Sequence, residues 1–464
     1  MASPVTRRGT RAPLLAVAIP SIAFLMVTLD ALVVVTALPS IRADLGGSPA
    51  GLQWVVNAYN LTFAAGIITA AALGDRFGRR RVFLGGLALF ATMSALCATA
   101  PDLGLLVTFR ALQGLGGAVI TPLGLTLITV AFPPDKRGRV VGIWGGIAGL
   151  GVAAGPLVGG AVTQGLDWHW IFWINIPIGV LALLGSRRVL AESHGPRTPL
   201  DLPGMLLGGT GLAVAVWALV QAPDTGWGSS RTLTGLVAGI ALLGAFLARE
   251  ATAAHPMIPL RLFRTRSFSA AAVANVLMSG STFSAAYLTS EFFQIGRGDS
   301  PLTTGLQLLP WTVTPLLIAP IAGALFDRVG VKVLAVPGLL MQAAGFVWIA
   351  HLAGVGSSWS AYVVPFVTAG VGVSLALPSL PAAALNVAPP EALGQAAGVV
   401  NTLQRLGTII AVATGTAVFD ANGALTTPET TTAGYQPALL LSAGLSTLGA
   451  LIALGSATRK HGSR

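Results

Sequence analysis

The stretch A-A-L-G-D-R-F-G-R-R (71–80) returns as G-A-L-F-D-R-V-G-V-K (323–332), with Leu73, Asp75, Arg76 and Gly78 repeated as Leu325, Asp327, Arg328 and Gly330. Ser48-Pro49 and Ser300-Pro301 precede the two copies at the same offset of 252 residues. Further along, Gly114, Gly116 and Pro122 match Gly370, Gly372 and Pro378 at an offset of 256, as do P-P-D-K-R-G-R-V-V-G (133–142) and P-P-E-A-L-G-Q-A-A-G (389–398). A drift of four residues is one small insertion, so the chain contains two related halves.

The halves are built for lipid. Of 464 residues, 54% are hydrophobic and 9% charged, with a mean hydropathy of +0.78. Soluble domains carry roughly 25% charged residues, so this composition cannot cover a water-facing surface. A spanning helix takes about 20 apolar residues. On that measure crossings are expected near 14–38, 52–73, 82–99, 104–131, 140–162, 171–186, 202–221, 232–248, 267–292, 303–325, 332–353, 361–386, 395–419 and 437–456. With the first terminus inside, 22 Lys and Arg fall in cytoplasmic segments and only Arg42, Arg231 and Arg297 in outer ones. That asymmetry is the positive-inside pattern and puts both termini in the cytoplasm. The first apolar run is too long for a signal-peptide core and lacks a small-residue cleavage site, so it is expected to stay as the first helix.

The repeat pairs the second expected helix with the tenth and the fourth with the twelfth. Two six-helix bundles, 1–186 and 267–464, with two further helices and cytoplasmic linkers in 187–266, satisfy that shift. Parallel repeats of this kind place a substrate site near the midplane between two bodies that rock.

Several function classes drop out. The net charge of +11 lies in short loops rather than in a basic stripe interleaved with aromatics, which argues against nucleic acid. There is no G-x-x-x-x-G-K-[ST] phosphate loop and no H-E-x-x-H pair, and the five His are scattered. A single cysteine, Cys97, excludes a disulfide framework and a Cys-based metal site. No enzyme, metal or cofactor is expected. Abundant Arg, Ala and Gly over Lys suggest a GC-rich bacterial genome.

Two charges lie deep. Asp30, in T-L-D-A-L-V-V-V-T-A-L-P (28–39), is the only carboxylate well inside an expected span; Glu291 and Asp420 fall near outer helix ends. Arg110, in R-A-L-Q-G-L-G-G-A (110–118), lies seven residues in from Leu103, or roughly 10 Å at 1.5 Å per residue. An intramembrane ion is a functional candidate, usually with a partner; snorkelling to the outer surface is the alternative for Arg110. Arg405 (N-T-L-Q-R-L-G) has no acidic residue at its depth and either faces a cavity or bonds to Asn401 and backbone carbonyls. Asn57, Tyr59, Gln113, Trp144, Asn275, Tyr287 and Trp311 are plausible cavity liners, and most are equally plausible as packing or interfacial residues.

These motifs resemble the major facilitator superfamily over essentially the whole chain, and its fourteen-helix drug:proton antiporter branch in particular. G-D-R-F-G-R-R-R (74–81) resembles the family's loop between helices 2 and 3, with Ala71 where the family usually has Gly. The resemblance implies a conformational latch made of Asp75, Arg76, Gly78 and Arg79, echoed by Asp327 and Arg328. Asp75 is expected to face the N–H groups at a helix start, and the arginines to meet carboxylates or C-terminal dipoles.

G-L-G-V-A-A-G-P-L-V-G-G (149–160), with Gly142 before it, resembles the antiporter motif in Gly142, Gly151, Gly155, Pro156, Gly159 and Gly160. It implies export rather than uptake. In this fold helices 1 and 4 are neighbours, so Asp30 and Arg110 are expected to form the proton-coupling pair. The implied protein is an all-α exporter of small amphipathic drugs or antibiotics in the bacterial inner (cytoplasmic) membrane. It is expected to use protons as its coupling ion and to work as a monomer in the lipid bilayer. A proton-coupled exporter of one endogenous metabolite and a membrane-embedded sensor are the rival readings.

Overall fold

The computed structural model describes residues 11–132, 147, 150–151, 154–195, 201–253, 256, 260–354, 357–388 and 393–456. Among these the fold is all helical. The chain runs α1 (Arg11–Leu45), α2 (Pro49–Phe77), α3 (Arg79–Ala98), α4 (Leu103–Val130), α5 (154–165) and α6 (Asn175–Val189, after a turn at Trp170–Trp173). It continues with α7 (Leu202–Thr225), α8 (Ser230–Thr252), α9 (Arg266–Glu291, closing in a π turn at Phe292–Gly296) and α10 (Pro301–Thr312 and Thr314–Val329). The last four are α11 (Val331–Leu352), α12 (Trp359–Asn386), α13 (Leu393–Asn422) and α14 (Pro428–Ala453). The break in α10 falls beside Pro315, which has no N–H for the helical ladder.

Among the described residues eleven helices are long and apolar enough to cross a membrane. The expectation of fourteen also needs α2 and α9, which at 29 and 26 residues have the length but are not among those eleven, and α5, which is described only in part. Several helices overrun their expected spans. The first extends to Leu45, past Arg42 and Asp44. Hydropathy marks where the chain leaves hydrocarbon, whereas the backbone ladder continues into the polar interface.

The repeat in sequence is a repeat in geometry. Ser48 and Ser300 are both N-caps whose side chains accept from the N–H three residues on, Gly51 at 3.1 Å and Thr303 at 3.2 Å, with proline at the first helical position. Gly78 and Gly330 both take positive φ, 104° and 78°, at the tight turn into the next helix. Only glycine adopts that conformation cheaply. A Cβ on Gly116 would meet the Phe90 backbone N at 2.8 Å, and one on Gly372, 256 residues on, would crowd the backbone of Gln342, which stands 252 residues after Phe90.

Packing follows the same division. α1, α2, α3, α4 and α6 pack on one another, as do α9 and α11 to α14, while α7 pairs with α8 and lies against both α2 and α13. A core around Tyr59, Phe63, Phe83 and Phe90 fills the first group, and one around Phe268, Leu334, Leu339 and Leu380 the second. A third core joins both groups, from Val33 and Leu38 to Tyr287, Phe292 and Trp311. α8 turns Val237 and Ile240 outward, about two-thirds exposed, as a lipid-facing helix should.

Candidate functional site

Asp30 and Arg110 meet. Arg110 Nη1 donates to Asp30 Oδ2 at 2.5 Å, and both side chains are 1% exposed. The carboxylate's other oxygen accepts from Gln113 Nε2 at 3.0 Å and from Asn175 Nδ2 at 2.9 Å. Asn175 also donates to Ser94 Oγ, whose hydroxyl in turn donates to the Phe172 carbonyl. Arg110 is held from three further sides: its Nε donates to the Val55 carbonyl at 3.1 Å, its Nη1 to Gln113 Oε1 at 2.7 Å, and its Cζ lies 4.2 Å from the Tyr59 ring centroid. Cys97 closes the cluster with its thiol 3.7 Å from Gln113 Oε1.

The helices explain the placement. Asp30 sits midway along α1, and Arg110 and Gln113 lie on one face of α4 because residues three apart are neighbours on a helix. Gly114, one residue on, lets α4 approach α2: a Cβ there would meet the Tyr59 carbonyl carbon at 3.0 Å. Arg110 therefore does not snorkel; it turns inward, where the carboxylate offsets a charge that lipid would penalise by several kcal/mol.

Asn175 and Ser94 are partners that sequence reasoning missed. Asn175 stands in W-I-N-I-P, a polar residue in an apolar run, and that signal was available. Ser94 has no such mark.

Of the expected cavity liners, Gln113 and Tyr59 belong to this network. Asn57 and Asn275 are buried, and neither amide has a hydrogen-bond partner among the described residues. Tyr287 and Trp311 lie in the third core, Trp311 stacked on Phe366 at 6.1 Å. Trp311, Thr36, Pro156, Phe283 and Ser290 border a cavity of about 30 Å³ between the two groups. A drug-sized ligand needs roughly 300–1,000 Å³, far more than this cavity holds. Trp144 and Gly142 lie outside the described residues. Arg405 takes a partner that neither alternative named: its Nη1 crosses to Asn60 Oδ1 on α2 at 3.0 Å, while Asn401 bonds to the Ala397 carbonyl. The sequence shows no offset that would pair α13 with α2, so this partner was not legible.

The glycine motif on α5 divides its work. Gly151, Gly155 and Gly159 face α1, where added Cβ atoms would meet Thr28 Cγ2 at 2.8 Å, Leu32 Cβ at 2.6 Å and the Val33 carbonyl at 2.8 Å. Gly160 faces the other group, where a Cβ would lie 2.9 Å from Leu302 Cα. Gly305 returns the contact against the Pro156 carbonyl oxygen at 2.5 Å. Nearby, Gln164 Oε1 accepts from Ser300 Oγ at 2.8 Å and the Leu302 N–H at 3.2 Å, and Gln294 Nε2 donates to the Thr36 carbonyl at 3.1 Å. Among the described residues the other hydrogen bonds between the two groups are at mid-depth, Arg405 to Asn60 and Thr402 Oγ1 to the Ala64 carbonyl. Among the described residues the hydrogen bonds across the seam thus gather at the end marked by Gln164, Gln294 and Ser300 and at mid-depth.

In the 74–81 loop, Asp75 Oδ1 accepts from Arg79 Nε at 2.8 Å, and Arg76 is exposed beside the Phe77 ring. The start of α3 is occupied by Glu192, which accepts from the N–H groups of Arg80 at 2.9 Å and Arg81 at 3.2 Å. A carboxylate near a helix N-terminus gains from the exposed N–H groups and the dipole. That is the place expected for Asp75. Arg328 is exposed in α10, and the Asp327 side chain lies outside the described residues.

The family model of the Major Facilitator Superfamily matches residues 21–412 and 268–462. The tetracenomycin C resistance and export protein of Streptomyces glaucescens is 37% identical over 401 residues, covering 85% of this chain and 73% of that one. The puromycin resistance protein pur8 of Streptomyces alboniger is 35% identical over 450 residues, covering 92% and 88%. A crystal structure of a POT family transporter in complex with 5-aminolevulinic acid superposes with a TM-score of 0.71 at 16% identity, over 97% of this chain and 96% of that one.

Proposed function

The chain belongs to the Major Facilitator Superfamily, and we propose that it is a proton-driven exporter of antibiotics or similar amphipathic compounds, working by alternating access. Membership makes it a multi-pass membrane transporter rather than an enzyme. Export of drugs is supported by the names of its relatives, which are resistance and export proteins. On this reading the protein lies in the bacterial cytoplasmic membrane with both termini inside, acts as a monomer of two six-helix bundles plus α7 and α8, and needs no cofactor beyond protons.

The observation that carries the coupling is the Asp30 network. A carboxylate at this depth, 2% exposed, holds three hydrogen bonds from Arg110, Gln113 and Asn175. A hydrogen bond to a charged group contributes about 1.5–3 kcal/mol. Protonating Asp30 requires at least the Arg110 contact to loosen, so proton uptake and a rearrangement of α1 against α4 become one event. In an exporter, the proton enters from outside and leaves to the cytoplasm once per cycle.

The Asp30→Asn variant tests this. It mimics the protonated carboxyl and is expected to abolish drug accumulation against a gradient, while still allowing downhill exchange. Breaking a buried pair by removing one partner costs roughly 3–5 kcal/mol, so cells must be matched for inserted protein. Full protonophore-sensitive efflux by Asp30→Asn would place coupling elsewhere, with Glu291 the next carboxylate to examine. Resistance to several unrelated compounds on overexpression separates a drug exporter from a transporter of one metabolite.

A further inference from the structure

We propose that Arg405 is an anion subsite: the exported compound carries an anionic oxygen (carboxylate, phenolate or enolate) that this guanidinium takes up at the seam between the two groups. The inference rests on the export reading above and narrows its substrate class.

Arg405 and Arg110 lie at similar depth but in opposite condition. Arg405 is twelve residues into α13 from Leu393, roughly 18 Å at helical rise, which is near the middle of a bilayer with a core about 30 Å thick. Its guanidinium has five N–H donors, yet among the described residues it makes one hydrogen bond, to the neutral amide oxygen of Asn60, and rests 4.2 Å above the Phe63 ring. No carboxylate among the described residues lies within 4 Å of it. Arg110 caps Tyr59 as Arg405 caps Phe63, and those two rings are 6.0 Å apart. Two guanidinium groups thus share a single carboxylate, Asp30, and Arg110 saturates it. The middle of the seam keeps one excess positive charge.

The surroundings direct that charge inward. α7 covers the membrane side of the α2–α13 seam through Leu61, Leu212, Val216, Ile409 and Ala413. Arg405 itself stays half-buried at the seam, bonded across it to Asn60. A second observation points to a ligand. Asn57 stands one turn outward from Asn60 on α2, is 1% exposed, and has no partner for either Oδ1 or Nδ2. The Gln53 oxygen one turn further is also without a partner. Leaving such a group unsatisfied is costly. An oxygen-rich anion supplies what both features lack: a charge-assisted acceptor for Arg405 and polar groups for the amide ladder of α2. The departure of an anion from a negative cell interior is also favoured by the membrane potential.

The test uses two dyes with one planar xanthene frame and opposite charge, fluorescein and rhodamine 123. Binding to the purified full chain in nanodiscs is read by anisotropy. The wild type is expected to bind fluorescein about tenfold more tightly than rhodamine 123, as a charge-assisted contact predicts. Arg405→Gln is expected to erase that preference and Arg405→Lys to keep part of it. Equal binding, a preference for rhodamine 123, no fluorescein binding by the wild type, or an unchanged preference in a monodisperse Arg405→Gln protein each overturns the proposal. Uphill transport in everted vesicles separates the two readings. Pumping of rhodamine 123 without fluorescein leaves export standing and removes the anion subsite. An Arg405-dependent preference in a protein that pumps neither dye uphill removes export and keeps the subsite.

Discussion

Gly160→Ala adds a single methyl group at the place where α5 meets α10. The new Cβ would lie 2.8 Å from the Pro301 carbonyl carbon and 2.9 Å from Leu302 Cα, both backbone atoms with no rotamer to yield. Carbon atoms rest about 3.5–4.0 Å apart, so the two helices must separate by roughly 0.5–1 Å there. Overpacking of this kind costs about 1–3 kcal/mol. The cost falls only on the conformation in which the outer seam is shut, because the same methyl is free once the seam parts. A differential of that size shifts a two-state balance by roughly 5–150-fold. The assay is labelling by a membrane-impermeant maleimide of a cysteine at Thr36, which is 1% exposed at the seam, in a Cys97→Ala background. Gly160→Ala is expected to raise outside labelling several-fold, with Gly85→Ala, whose added Cβ meets nothing within 4 Å, as the control. Equal labelling in both variants would show that the α5–α10 contact does not set outer closure.

Two further outcomes follow from the same geometry. Gly155→Leu, placed against Leu32 Cβ, is expected to insert normally but to lose efflux, since α1 must move off α5 inside one group; wild-type efflux from the inserted variant removes that reading. In the 74–81 loop, Asp75→Asn keeps every positive charge and therefore the orientation, but loses the 2.8 Å contact with Arg79. Helix-end labelling is expected to change its inward/outward balance in Asp75→Asn and to stay near wild type in Glu192→Gln, whose cap on α3 contributes about 0.3–1 kcal/mol. The same balance in Asp75→Asn and wild type shows the loop to be a topological anchor only.

Features written as spacing were legible before any coordinates. The Ser-Pro caps, the glycines at positive φ and the close approaches of Gly116 and Gly372 recur at fixed offsets because the backbone recurs. Asp30 and Arg110 were legible because an ion in hydrocarbon needs an opposite ion, and few were available. Asn175 and Ser94 were harder to find, since a neutral amide or hydroxyl inside a membrane helix satisfies itself in many ways, often on its own backbone. Thr28, Thr62 and Thr121 do so here. Arg405 to Asn60 was illegible for another reason. It is a contact between the groups, and the sequence repeat describes each half without saying how one leans on the other.

That contact bears on how a sealed site is opened. Among the described residues every hydrogen-bond partner of Asp30 comes from the first group: Arg110 and Gln113 on α4 and Asn175 on α6. Rocking two rigid bodies past each other would leave such a cluster untouched. Two helices around it are held from the second group: α1, whose Thr36 carbonyl accepts from Gln294, and α2. α2 carries Val55, whose carbonyl holds Arg110, and Tyr59, whose ring covers it, and its next residue, Asn60, is held by Arg405 from the second group. The Thr402 hydroxyl holds the Ala64 carbonyl one turn further along. Parting α13 from α2 therefore pulls on the helix that positions the guanidinium. On the proposed reading, the motion that exposes substrate to one side is transmitted to the proton site through α2. Substitution of Asn60, which touches neither Asp30 nor Arg110, is then expected to loosen coupling, seen as drug movement that no longer tracks the proton gradient. An Asn60→Ala protein with unchanged coupling would require a second route between the groups.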